Sequence, residues 1–271
     1  MYKNLIKTGV SWTVISTWLY FLFFLIIPIC ALFTKTSQTS IKDVFLIATQ
    51  PIALSAYRVT FSMAFVASIA NAFFGFILAW VLVRYQFPGK RLLDAAIDLP
   101  FAIPTSVAGL SLATVYSSQS CLGKCLNEYG IQIVYTRIGI AIAMVFVSLP
   151  FVVRTVQPVL QEINQEIEEA AWSLGASPWR TFRQLLLPSL FPALLTGASL
   201  AFSRAIGEYG SLVLVSSNIP LKDLLVSVLI FQNLEQYEYA EATVIATVVL
   251  ILSFFILLIV NTIQSLYRNK A

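Results

Sequence analysis

Continuous apolar runs of membrane-spanning length dominate this sequence. Six stretches come close to the ~20 residues that a helix needs to cross the hydrocarbon of a bilayer. They do not alternate as strands do, and an open sheet could not satisfy its backbone hydrogen bonds in lipid. We therefore expect an all-α membrane protein that forms a single transmembrane domain over residues 1–271. The predicted spans are 12–33, 59–83, 95–116, 138–156, 190–216 and 242–263.

Composition agrees with this class and excludes several functions. Apolar residues make up 58% of the chain and charged residues 11%, far outside the range of soluble proteins. The net charge of +4 is spread over loops, which argues against nucleic acid as a partner. The chain has no histidine, so Ser-His and Cys-His nucleophile pairs are absent. We expect no enzymatic chemistry, bound cofactor or metal in this chain.

The distribution of Lys and Arg predicts the orientation, because inner loops keep an excess of both. With the N-terminus inside, ten of the 17 basic residues fall in inner segments, six in outer loops and Arg204 in a span. Both termini then face the inner side, and Arg154 marks the inner end of the fourth span. The first span follows Lys3 and Lys7 and is interpreted as a retained helix rather than a cleaved signal.

A polar insert, residues 158–188, separates the fourth and fifth spans on the inner side. Its pattern predicts two short helices joined at Gly175, with Ser177 and Pro178 starting the second and Pro188 limiting its continuation. An interfacial hairpin packed under the bundle is the alternative that composition alone favours. The first helix is predicted to have an acidic face that holds Glu162, Glu166, Glu168 and Glu169.

A spaced motif runs through this insert: EAA, three residues, Gly, nine residues, an aliphatic residue, one residue, then Leu-Pro. Its positions are Glu169, Ala170, Ala171, Gly175, Leu185, Leu187 and Pro188. The motif resembles the signature loop of permease subunits of binding-protein-dependent ABC importers, with Leu185 where Ile is usual. The resemblance implies a MetI-like permease fold and a coupling helix that docks on a separate ATPase subunit. That partner would use ATP and Mg²⁺, since this chain has no GxxxxGK[ST] loop.

Four further segments narrow the resemblance to the sulfate-type branch of these permeases. They are LPFAIPTSVAGL at 99–110, LPFVVRTVQPVL at 149–160, AFSRAIGEYGS at 201–211 and LEQYEYAEAT at 234–243. The resemblance implies import of sulfate, and of thiosulfate as a further cargo. Its implied partners are a second homologous permease, two ATPase subunits and an outer sulfate-binding protein. A molybdate or tungstate importer is one alternative, and an ATP-independent anion channel or carrier is another.

Arg204 and Glu208 are charged residues four positions apart in the fifth predicted span. A charge at the centre of a span costs about 3 kcal/mol or more, so it should be paired or face water. The two form either a structural pair or part of a path in which Arg204 attracts a dianion and Glu208 orients it. Thr105 and Ser106, which follow Pro104, are further candidate donors to a passing oxyanion, although such prolines favour a structural bend.

The membrane and the state of the cysteines stay open at this point. No targeting segment is evident, so we expect either a plastid envelope served by a plastid gene or a bacterial cytoplasmic membrane. The Ile-rich, Gly-poor composition favours the plastid. Cys121 and Cys125, four residues apart in an outer loop, are either incidental thiols or a disulfide.

Overall fold

A computed structural model describes the backbone of residues 2–268 and the side chains of residues 12–265. The charges predicted to mark the inner side at Lys3, Lys7, Arg268 and Lys270 lie outside the described side chains. Between residues 2 and 268 the regular structure is helical and contains no strand. The all-α prediction is confirmed.

The helices differ widely in length. Their bounds are α1 Tyr2–Phe21, α2 Ile27–Ser37, α3 Ile41–Ala48, α4 Pro51–Arg84, α5 Lys90–Ile97, α6 Leu99–Ala102, α7 Thr105–Val115, α8 Cys121–Glu128, α9 Arg137–Glu162, α10 Gln165–Ser173, α11 Pro178–Thr181, α12 Leu187–Ile206, α13 Leu212–Val215, α14 Val226–Glu235 and α15 Tyr239–Arg268. Wide π-helical turns, Leu22–Ile26 and Phe182–Leu186, join α1 to α2 and α11 to α12 without a break.

Five helices in the described part of the chain are long and apolar enough to cross a membrane. They are Trp12–Ser37, Pro51–Arg84, Arg137–Glu162, Pro178–Ile206 and Tyr239–Ser265. The first, second, fourth and sixth predicted spans each lie within one of them. A total of six spans stays a prediction, because the third predicted span has a different form.

The third predicted span, 95–116, is a broken helix divided among α5, α6 and α7. Ile103 is extended, with φ −90° and ψ 132°, because the ring of Pro104 disfavours helical backbone in the residue before it. Pro104 also lacks the N–H that would continue α6. The last part of the segment therefore starts afresh at Thr105.

The helix that contains most of the fifth predicted span starts and ends at other residues than predicted. It runs from Pro178 to Ile206, so it continues through Pro188 and ends well before Ser216. The prediction that Pro188 limits the helix is wrong because a π turn precedes it. There the Leu187 N–H donates to the Phe182 carbonyl, five residues back, and such a widened turn accommodates a proline ring.

Helices α4, α9 and α12 pack together at the centre of the bundle. Glycines let them approach closely: a Cβ on Gly75 would lie 2.9 Å from Val152 Cβ, and one on Gly197 would lie 2.8 Å from Val152 Cα. Small residues at such contacts are how helices associate in lipid, where hydrophobic burial adds little. Asn71 Nδ2 also donates to Ser148 Oγ at 2.8 Å, which joins α4 to α9.

Candidate functional site

The polar insert forms α10, a tight turn and α11, and its motif residues lie at the surface. Asn164 begins α10, where its Oδ1 accepts a hydrogen bond from the Glu166 N–H at 3.1 Å. Glu169 and Ala170 are exposed, and Ala171 is half-buried. The triplet is therefore accessible to another molecule.

Gly175 makes the turn between the two helices. Its φ is +83°, a region that glycine adopts without steric cost. Its N–H donates to the Trp172 carbonyl at 2.9 Å, and the Ala176 N–H donates to the Ala171 carbonyl at 3.0 Å. These two bonds form a Schellman cap, and the Ser177 hydroxyl then caps α11. The predicted left-handed glycine and serine cap are confirmed.

A buried ion pair fixes the insert to the bundle. Arg84, at the end of α4, pairs with Glu168 of α10, and each side chain is only 11% exposed. The Arg84 guanidinium also lies over the Trp80 ring, 5.5 Å from its centroid. The prediction that Glu168 shares the acidic face of this helix is therefore wrong, because its carboxylate is buried against Arg84 of α4.

We expect Arg84→Met to loosen the insert while the spans stay folded. The buried Glu168 carboxylate would lose its cation, a change that costs about 3–5 kcal/mol at buried pairs. The α10 amides should then exchange with solvent at least about tenfold faster, as measured by hydrogen-exchange mass spectrometry. Arg91→Met removes an exposed arginine of α5 and is the control. Equal α10 exchange in the two variants would contradict the anchoring role.

Large apolar side chains are exposed around the turn of the insert. Trp172 is 48% exposed, Leu174 89% and Trp179 69%. Together with Glu169 and Ala170 they make up a surface that we call the insert face. Exposed aromatic and aliphatic groups beside a charge and small residues are typical of protein contact surfaces.

Arg204 and Glu208 form an ion pair at the other end of the Pro178–Ile206 helix. Arg204 Nη1 lies 2.7 Å from Glu208 Oε2, and the side chains are 31% and 2% exposed respectively. Glu208 Oε1 accepts from both the N–H and the hydroxyl of Ser211, each at 3.0 Å. Both carboxylate oxygens are thus occupied, while no other group among the described residues accepts from the Arg204 guanidinium.

Thr105 and Ser106 lie against the turn that follows this pair. A Cβ added to Gly210 would be 2.3 Å from Thr105 Oγ1 and 3.0 Å from Ser106 Oγ. The start of α7 therefore contacts the chain two residues beyond Glu208. The structure brings the predicted path residues from two distant segments to one junction.

Gly210 and Ser211 complete this junction and were not among the predicted path residues. Both were predicted to lie inside a continuous span, 190–216, whereas the helix ends at Ile206. Two glycines within four residues, Gly207 and Gly210, were the sequence signal for that end. A chain that leaves its helix here can fold Ser211 back onto the carboxylate.

Arg154 is the centre of a further cluster of ion pairs. It donates two hydrogen bonds to Asp98, at 2.8 and 2.7 Å, and one to the Asp94 carboxylate at 2.6 Å. These contacts hold the broken helix against α9. Asp98 thus has a structural partner on α9.

The two cysteines of the predicted outer loop lie on α8. Cys121 and Cys125 are exposed, and both are free thiols. The disulfide alternative is therefore not realised in this structure.

Comparison with known sequences finds a family match over most of the chain. Residues 71–269 match the family described as binding-protein-dependent transport system inner membrane component. A Nephroselmis olivacea protein described as a probable sulfate transport system permease protein cysT is 60% identical, over 96% of this chain and 92% of its own length. The corresponding Synechocystis protein, described as CysT, is 53% identical over 97% of this chain and 91% of its own.

Solved structures similar to this chain include permeases of two ABC transporters. A chain of a bacterial alginate ABC transporter, in complex with an alginate pentasaccharide-bound periplasmic protein, has a TM-score of 0.80 and 16% identity, over 97% of this chain and 96% of its own. A chain of the inward-facing MetNI methionine ABC transporter has a TM-score of 0.55 and 20% identity, over 82% and 99%. At such identities the likeness shows a shared MetI-like fold and nothing of the cargo.

Proposed function

This chain belongs to the family of binding-protein-dependent transport system inner membrane components, and from that membership we propose that it is the permease subunit through which an ABC importer moves sulfate across a membrane. Its role as a multi-pass permease follows from the family. The sulfate cargo is supported by the names of relatives that are 53–60% identical over most of the chain. Thiosulfate as a second cargo is proposed from the resemblance of the sequence motifs alone.

The observation that carries the mechanism is the exposed insert face at the end of a continuous helix. Glu169, Ala170 and the exposed Trp172, Leu174 and Trp179 would dock on a separate ATPase subunit. Glycine at the turn and small residues beside it permit close approach of the partner. Leu187 and Pro188, at the end of the motif, belong to the helix that starts at Pro178.

The helix from Pro178 to Ile206 suits the transmission of ATPase movement. It has 29 residues and is therefore roughly 43 Å long, enough to cross the bilayer. Its inner end adjoins the insert face, and its other end carries Arg204. A displacement of the insert by a closing ATPase pair would thus shift the Arg204–Glu208 pair and the adjoining α7.

The junction of Arg204, Glu208, Thr105 and Ser106 is our candidate for the anion path. Arg204 supplies positive charge and unpaired N–H donors, and the two hydroxyls supply neutral donors. Glu208 holds the guanidinium in place and offsets its charge, so that a dianion is attracted without being held tightly. A site that bound the cargo strongly would release it slowly.

The assembly that we propose contains four further chains: a second homologous permease, two ATPase subunits that use ATP and Mg²⁺, and an outer sulfate-binding protein. This chain itself would bind no cofactor and catalyse no covalent step. We place the assembly in a plastid envelope, with a bacterial cytoplasmic membrane as the alternative, and with both termini and the insert on the inner side.

The substrate is tested by ATP hydrolysis of the complex reconstituted in lipid nanodiscs. The outer binding protein is added empty, loaded with sulfate or loaded with molybdate. We expect the sulfate-loaded form to stimulate hydrolysis severalfold and the molybdate-loaded form to stimulate it little. Equal or stronger stimulation by molybdate would reassign the cargo, and no stimulation by either would contradict coupled import.

A further inference from the structure

A basic cavity of about 590 Å³ lies at the outer end of α4. Its lining includes Ser55, Arg58 and Ser62 from α4 and Arg137 from the start of α9, and none of its lining residues is acidic. Two guanidinium groups and the Ser55 hydroxyl therefore surround a space with no counter-charge in its wall, while the Ser62 hydroxyl donates to the Arg58 carbonyl of its own helix. Such a cavity is suited to a bulky anionic group.

The Arg58 guanidinium has no ion-pair or hydrogen-bond partner among the described residues. Arg137 is oriented by the Lys222 carbonyl, to which its Nε and Nη2 donate at 3.0 and 2.7 Å. Because that acceptor is neutral, the charge of Arg137 stays uncompensated. Both cations are thus available to a ligand.

Both arginines also lie at the depth of lipid headgroups. Arg58 directly precedes the predicted hydrocarbon span 59–83, and Arg137 directly precedes the span 138–156. Their side chains therefore belong to the polar boundary of the bilayer, where phosphate and sulfonate groups of lipids are found.

An apolar cavity of about 360 Å³ lies on the same face of α4, deeper in the membrane. Phe65 and Ile69 line it, 60% and 54% exposed, with α12 and α15 forming its other walls. Phe65 follows Arg58 by seven residues, two helical turns and roughly 10 Å along the axis. The serines in its wall, Ser68 and Ser199, donate to carbonyls of the chain itself.

We propose that this face of α4 binds an anionic lipid, with its headgroup between Arg58 and Arg137 and an acyl chain along Phe65 and Ile69. The basic cavity alone would also suit free sulfate. The apolar groove on the same face selects a ligand that has both a charged head and a hydrocarbon tail, which only a lipid combines. This assignment is independent of the transported cargo.

The test is lipid titration of the delipidated full-length protein by native mass spectrometry, with phosphatidylglycerol and phosphatidylcholine as probes. We expect phosphatidylglycerol to bind and phosphatidylcholine to bind much more weakly. The double variant Arg58→Gln, Arg137→Gln should lower the phosphatidylglycerol affinity at least about tenfold. The matched control, Lys35→Gln with Lys124→Gln, removes two exposed outer lysines and should leave that affinity unchanged.

A second variant separates the tail from the head. Ile69→Trp fills the apolar groove, so it should weaken the binding of phosphatidylglycerol. The binding of glycerol 3-phosphate, which has no acyl chain, should be unaltered. Equal binding of the two lipids, or unchanged binding in the double Gln variant, would overturn the proposal. So would displacement of the lipid by inorganic sulfate, or efficient cross-linking of Ile69→Cys to the second permease in the assembled complex.

Discussion

We expect Glu169→Lys to abolish ATP-driven transport by the assembled importer. Glu169 is exposed on α10 and is part of the insert face, so the substitution reverses a charge where we propose that the ATPase docks. Like charges brought together at an interface cost several kcal/mol, and about 1.4 kcal/mol already changes an equilibrium tenfold. Sulfate uptake into vesicles should therefore fall by more than about a hundredfold. Retention of the ATPase subunits, measured by co-purification, should fall to the same extent.

The matched control for this substitution is Glu128→Lys. Glu128 is exposed at the end of α8, on the predicted outer side, and undergoes the same charge reversal. We expect it to assemble and transport as the unaltered chain does. Full ATPase retention and transport in Glu169→Lys would contradict docking at the insert face. Loss of transport in both Glu169→Lys and Glu128→Lys would show that the charge change itself, and not its position on the insert face, causes the loss.

The second large effect is expected for Glu208→Ala. The substitution leaves Arg204 without its counter-charge and removes the acceptor of the Ser211 N–H and hydroxyl. Removal of one partner from a buried pair costs about 3–5 kcal/mol. The unfolding temperature of the purified chain should fall by several degrees, because a domain of this size loses roughly 2–4 °C per kcal/mol.

A double substitution separates the structural role of the pair from its transport role. In Arg204→Met with Glu208→Leu no charge is left uncompensated, so we expect the part of the thermal stability that the lone Arg204 charge removes to return, while the Ser211 N–H and hydroxyl still lack their acceptor. Transport should stay lost, because the positive charge on the proposed anion path is gone. Normal sulfate uptake by the double variant would show that the pair is structural only.

Local signals in the sequence were sufficient for the turn of the insert. Gly175 and the Ser177-Pro178 pair act on their own backbone neighbours, so the left-handed residue and the helix start could be predicted without knowledge of the fold. The continuous apolar runs are also local features of the sequence, so the all-α class could be predicted from them in the same way.

Features that depend on distant contacts or on backbone detail could not be predicted in this way. Glu168 belongs to the acidic pattern of an isolated helix, and only its packing against Arg84 buries it. Pro188 is normally a helix breaker, and only the π turn before it lets the helix continue. The two charged residues of the junction, Arg204 and Glu208, were predicted from the sequence. The contact of Ser211 with Glu208 was not, because it depends on the helix ending at Ile206.

ATP-driven import of sulfate is tested by the uptake of radiolabelled sulfate into vesicles that contain this chain, its homologous permease and the ATPase subunits, with the sulfate-loaded binding protein outside. We expect uptake that requires ATP on the insert side, that stops when the ATPase cannot hydrolyse ATP, and that excess molybdate inhibits only weakly. Uptake that continues without ATP hydrolysis would contradict ATP-driven import and would indicate a channel or carrier.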